Sequence, residues 1–102
     1  MDYLREFGLD NTDIAILKSS LNDDVYSEFS FFQNLVKENI AYLINFGISN
    51  YQQVIVKYPE IFLRDTESFK NVLSKFDKQD LIDKVSKNAA VIKKMVDYVD
   101  NN

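Results

Sequence analysis

The chain contains two glycines, and both stand in the same local pattern. It reads Tyr3-Leu4-x-x-Phe7-Gly8-Leu9-x-Asn11 and, 39 positions later, Tyr42-Leu43-x-x-Phe46-Gly47-Ile48-x-Asn50. A residue without Cβ just past an apolar helix end suits a left-handed C-cap, and the apolar residue after it can fold back on the last turn. Each copy therefore predicts a helix, a stop and a restart. Two glycines and one proline in 102 residues leave little of the turn chemistry that hairpins and barrels need, whereas Asp, Asn and Ser recur where helices would begin. The expected class is all-α. With 46% apolar residues the chain can bury a modest core as one domain, 1–102.

The absence of Cys and His removes a disulfide framework, a thiolate nucleophile, an imidazole base and an ordinary zinc site. The carboxylate groups Asp23 with Asp24, Asp77 with Asp80 and Asp83, and Asp97 with Asp100 are read as caps and solvated helix faces, because no EF-hand loop can be traced through them. The expectation is a protein that is not an enzyme and uses no cofactor, metal or small-molecule ligand. Asp97 and Asp100 stand near the negative end of the last helix, which predicts early fraying there. The segment from Asn39 to Val56 is nearly uncharged, but five Asn, Gln and Ser residues and Gly47 interrupt it, so no membrane span is expected. The start, Met1-Asp2-Tyr3-Leu4-Arg5-Glu6, lacks the pattern of an export or organelle signal, and the expected location is cytoplasmic.

Apolar spacing divides the chain further. Residues 2–7 make one or two turns, and Asp10 caps a helix stapled by Leu9 and Ile14, with Ile14, Leu17 and Leu21 buried and Ile16 on the flank. Asn22-Asp23-Asp24 is the next break and offers a capping carboxylate. Val25, Phe29, Phe32, Val36, Ile40 and Leu43 then follow in steps of four, three, four, four and three, which predicts one spine helix of about six turns ending at Gly47. Ser49-Asn50-Tyr51-Gln52 has capping-box spacing and opens a short helix carrying Val54, Ile55 and Tyr58. Pro59 ends it, and residues 59–63 form a tight turn. Asp65 or Thr66 caps a helix with Phe69, Val72, Leu73 and Phe76 on its stripe, and Asp77 opens another with Leu81, Ile82 and Val85. A last helix near 89–99 buries Val91 or Ile92, Met95 and Val99.

Leu73-x-x-Phe76-Asp77 aligns with Leu43-x-x-Phe46-Gly47, adding a third unit 30 positions on. The units fall near 1–41, 42–72 and 73–100, a period at which stacked two-helix repeats form right-angled arrays. The middle unit, with Leu43-x-x-Phe46-Gly47-Ile48-Ser49 followed by Val54-Ile55-x-x-Tyr58-Pro59-x-Ile61-x-Leu63, resembles the repeat of the mitochondrial transcription termination factor family. That resemblance implies a helical array whose basic concave face binds the backbone of duplex nucleic acid. The chain departs from the pattern at Ser20 and Ala89, which stand in the place of the proline, and at Asp77, which stands in that of the glycine.

Two candidate surfaces follow. The charge is −4 overall, divided into −5 over residues 1–56 and +1 over 57–102. Lys57, Arg64, Lys84, Lys87, Lys93 and Lys94 are candidates for a basic, nucleic-acid-binding ridge, with Lys57 and Lys87 at equivalent repeat positions. Nearby Asp80, Asp83 and Asp97 favour the competing reading of a solvated, neutralised helix surface. Phe29, Phe31 and Phe32 span too wide an arc to face one core. Burial of all three against a neighbouring repeat is the favoured expectation, and the alternative is that one of them, Phe31, stands outward as an anchor for a partner. Tyr26 and Tyr51 complete the candidate partner-binding set, while Gly8, Gly47 and Pro59 are structural repeat positions. Tyr3 and Tyr42 are expected to lay their rings over neighbours with the hydroxyls in water. The leading functional expectation is a non-catalytic helical-repeat module that binds a protein partner or itself; the alternative is a small nucleic-acid-binding module using residues 57–94.

Overall fold

The computed structural model describes residues 1–101, which form seven α-helices and two 3-10 helices. In chain order they are a 3-10 helix Asp2–Phe7, α1 (Asn11–Ser20), α2 (Asp23–Phe31), α3 (Gln33–Phe46), α4 (Tyr51–Lys57), a second 3-10 helix Pro59–Leu63, α5 (Thr66–Ser74), α6 (Lys78–Lys87) and α7 (Ala90–Asp100). There is no strand among the described residues. The protein is an all-α helical array.

Local chemistry accounts for most of the boundaries. The Asp10 carboxylate accepts from the Asp13 backbone N–H at 2.9 Å while the Asp13 carboxylate accepts from that of Asp10 at 3.2 Å, a reciprocal box that satisfies two donors at the start of α1. Leu9 and Ile14 are both buried beside it. Asp65 and Asp77 cap α5 and α6 by single bonds, their carboxylates accepting from the N–H groups of Ser68 and Asp80. The cap of α2 is the Asn22 amide oxygen, which accepts from Val25, and not a carboxylate. Gly8 and Gly47 both adopt positive φ, 87° and 116°, as the repeated stop requires. No other described residue does so. The Asp77 site therefore reproduces the restart without the left-handed stop.

The expected single spine helix is two helices. Phe32 (φ −106°, ψ 44°) ends α2 and opens α3, with its N–H on the Glu28 carbonyl and its carbonyl accepting from Val36. No residue is inserted, so the apolar spacing passes through the break unchanged and conceals it. The break leaves α2 touching both α3 and the second 3-10 helix. It also turns Phe32, placed on the buried stripe by spacing, into solvent at 47% exposure.

The hydrophobic core runs the length of the chain, from Leu4 and Leu17 through Phe29, Ile40, Leu43 and Phe62 to Leu73 and Ile92. At its centre α3 touches α2, α4, the second 3-10 helix and α5. Asn39 is the only buried polar residue among those described. Its Nδ2 donates to the carbonyls of Phe62 at 2.9 Å and Arg64 at 2.8 Å, which pairs acceptors that the end of the 3-10 helix leaves open. Pro59 sits at the first position of that 3-10 helix, where its missing N–H leaves no helical bond unmade.

Three further expectations are corrected. The Tyr3 hydroxyl does not lie in water: it donates to the Phe29 carbonyl at 2.7 Å, in the last turn of α2, and burial pushes its pKa upward. The Ser49–Gln52 segment makes no capping box, because its amides act at longer range. Asn50 Nδ2 donates to the Val85 carbonyl at 2.8 Å and Gln52 Nε2 to that of Phe7 at 2.9 Å, tying α4 to α6 and to the first 3-10 helix. The end of α7 is anchored, since Arg64 holds both Asp100 oxygens at 2.9 Å, and the buried residues of α7 are Ile92, Met95 and Val96, with Val99 half-buried.

Both glycines lie under a neighbour. A Cβ on Gly47 would stand 2.8 Å from Cδ1 of Ile82, and one on Gly8 would meet the Gln52 amide. Gln52 is five positions past Gly47, and Ile82 five positions past Asp77.

Candidate functional site

The outward face of α2 is built by helical geometry. Phe29 is fully buried and Val25 and Tyr26 are half-buried on the core side. Residues at i, i+3, i+4 and i+7 share a helix face, and this places Asp24, Ser27, Glu28 and Phe31 together, all of them exposed. Phe31 is 85% exposed and packs edge to face on Phe32 with ring centroids 5.4 Å apart. Large exposed apolar side chains are few among the described residues: Ile16, Phe31, Phe32 and Tyr98. Phe31 and Phe32 form an adjacent pair at the α2–α3 break.

Electrostatics on this face are one-signed. No Lys or Arg occurs between Lys18 and Lys37. Among the described residues none of Asp23, Asp24 and Glu28 has a cation within 4 Å. Asp23 and Asp24 lie in the first turn of α2, where negative charge complements the helix dipole. Glu28 lies beyond that turn.

The other two aromatic candidates are differently placed. Tyr26 and Tyr51 are half-buried and packed on the core, leaving Phe31 as the one member of that set standing in solvent.

The basic candidates separate into paired and unpaired groups. Arg64 is held by Asp100, with a further bond from its guanidinium to Ser68 Oγ. Lys84 meets Asp80 at 2.9 Å and Lys93 meets Asp97 at 2.7 Å. The hydrogen bond from Arg64 holds the Asp100 carboxyl below its usual pKa, and that from Lys93 to Asp97 holds the ammonium above its own. Lys57, Lys87 and Lys94 have no ion-pair partner among the described residues. Lys57, Arg64 and Lys93 come together around two adjoining grooves between the second 3-10 helix and α7. One, of about 160 Å³, is lined by Lys57, Tyr58, Pro59, Glu60, Ile61 and Lys93. Its neighbour, about 210 Å³, adds Arg64, Val96, Asp97 and Asp100. Acidic and basic groups alternate along both.

Sequence reasoning missed two structural determinants of these surfaces. Asn39 sets the turn from which Arg64 projects, and its signal was a polar residue on the stripe Val36, Asn39, Ile40, Leu43. Gln52 and Asn50 were assigned to a local cap, and no sequence signal distinguishes that use from an interhelical one.

The architecture and these two surfaces define an all-α helical array with an acidic, aromatic face at one helix break and a mixed-charge groove along its second half. No protein-family model, no curated protein and no solved structure matches the chain. No described helix is long and apolar enough to cross a membrane.

Proposed function

We propose that this protein is a non-catalytic helical-repeat module that acts by binding another protein chain through the outer face of α2. The observation that carries the reading is Phe31, a phenylalanine left 85% exposed, more than any other large apolar side chain among the described residues. An aromatic side chain with two rotatable bonds loses little entropy on docking and contributes a large apolar area, which makes it an effective anchor. Two matched contacts support the repeat reading. In each, the stop of one unit is covered by the residue five positions past the corresponding stop of the next.

The test places a photo-crosslinking phenylalanine analogue at position 31 or, as a control, at exposed Asn71 on α5. The expected result is a discrete adduct from position 31 alone, competed by excess unlabelled protein and not by the F31A variant. Equal crosslinking from both positions would overturn the reading.

Binding to nucleic acid is the second reading, favoured by the convergence of Lys57, Arg64 and Lys93 beside the second 3-10 helix. Asp100 and Asp97 already occupy two of these three cations, and nonspecific binding needs several unopposed ones. Titration with a random-sequence duplex decides the matter. An affinity that falls steeply with salt, and falls again on changing Lys57 and Lys87 to Glu, would displace the first reading in favour of this one.

A further inference from the structure

Resting on the reading that the α2 face is a docking surface, we propose that its partner is a cationic segment of another protein: a stretch in which Lys or Arg residues flank an apolar socket for Phe31. The partner's chemistry follows from what shares the face. Asp24 and Glu28 lie seven and three residues before Phe31, on the same side of the helix and in solvent, and Asp23 adds a third carboxylate at the same end. Among the described residues none of the three has a cation within 4 Å, and no Lys or Arg occurs in residues 19–36. Helix-dipole compensation accounts for Asp23 and Asp24, but not for Glu28 in the body of α2. A neutral or acidic partner would have to desolvate or oppose these carboxylates to reach Phe31, whereas a basic one pairs with them and is steered toward the face.

A second copy of this chain fits the face poorly. Two-fold pairing through Phe31 with the two α2 helices parallel would bring each Asp24–Glu28 stripe against its symmetry mate, with like charges opposed. Head-to-tail docking on the basic groove meets a mixed surface. The groove beside Lys57 and Lys93 also carries Glu60, and Lys93 there is already bound to Asp97.

The full chain would be titrated with three synthetic 18-residue peptides: an amphipathic helix of Lys and Leu, the same composition scrambled, and an amphipathic helix of Glu and Leu. Affinity is read by fluorescence anisotropy at two salt concentrations, and the site by amide chemical shifts. The expected result is that the Lys–Leu helix binds, that shifts concentrate at residues 24–32, and that affinity falls at least tenfold in F31A and in E28K. The variant E67K, which changes the net charge equally on α5, should alter affinity less than threefold. Equal losses in E28K and E67K would overturn the proposal by reducing the attraction to net charge. Equal binding of the Glu–Leu helix at residues 24–32 would overturn the cationic partner while leaving the docking face intact. The same holds for sedimentation that shows self-association abolished by F31A. Shifts that avoid residues 24–32 with every peptide would overturn the proposal, and the docking face would then rest on the crosslinking result alone.

Discussion

Replacing Gly47 by Ala tests the repeated stop and the packing over it in one experiment. At φ 116° an L-residue is strained, and Cβ would come within 2.8 Å of Ile82 Cδ1, the far end of a half-buried side chain on α6. Left-handed backbone costs an L-residue about 1–2 kcal/mol, and mild overpacking against a side chain that can give way adds about 1 kcal/mol. The expected loss is therefore about 2–3 kcal/mol in urea unfolding, or roughly 10–20 °C in Tm for a domain of this size. Ile82→Val deletes the one methyl group in the way, so a double-mutant cycle separates the two contributions. In the I82V background G47A should cost about 1 kcal/mol less, while the backbone strain persists. A G47A variant within about 0.5 kcal/mol of wild type would refute the left-handed stop. Effects of G47A and I82V that add within about 0.3 kcal/mol would refute the contact with α6.

Asn39→Ala removes two hydrogen bonds from carbonyls packed against the core, with an expected cost of about 2–4 kcal/mol in urea unfolding; a loss under about 0.5 kcal/mol would mean that solvent reaches both acceptors. Tyr3→Phe should destabilise by about 1 kcal/mol, the net worth of the bond to Phe29, and should raise amide exchange in the last turn of α2 more than in α5. The Asp100 carboxyl is held below its ordinary pKa by Arg64, so the pair favours the folded form above the unfolded carboxylate range, and that contribution disappears as the pH falls through the folded pKa. An NMR titration should accordingly find the Asp100 pKa rising toward the ordinary carboxylate range in R64A, and the same variant should speed amide exchange at the end of α7; an unchanged Asp100 titration would refute the pairing.

The helices themselves were legible because their signals are local. The capping residues Asp10, Asp65 and Asp77, the stops at Gly8 and Gly47 and the break at Pro59 each act within a few residues, and each stands where spacing put it. The break at Phe32 was illegible because it preserves phase: with Phe32 ending one helix and starting the next, Phe29 and Val36 keep the spacing of an uninterrupted stripe. The candidate site was partly legible. The crowding of Phe29, Phe31 and Phe32 on one turn singled out Phe31 as the one to face outward if a neighbouring repeat did not bury it, and Phe31 stands in solvent. That Tyr26 and Tyr51 would lean on the core depended on neighbours far along the chain.

The sequence by itself determined an all-α chain, its helix starts, two left-handed stops and an acidic first half, since composition, capping and periodicity act over one or two turns. Tertiary structure alone decided that the helix breaks at Phe32, that Asn39, Asn50 and Gln52 spend their amides on distant carbonyls, and that Arg64 is paired with Asp100. Those outcomes depend on which groups the packed core brings within hydrogen-bonding distance. Such contacts join residues up to 45 positions apart and leave no periodic trace in the chain.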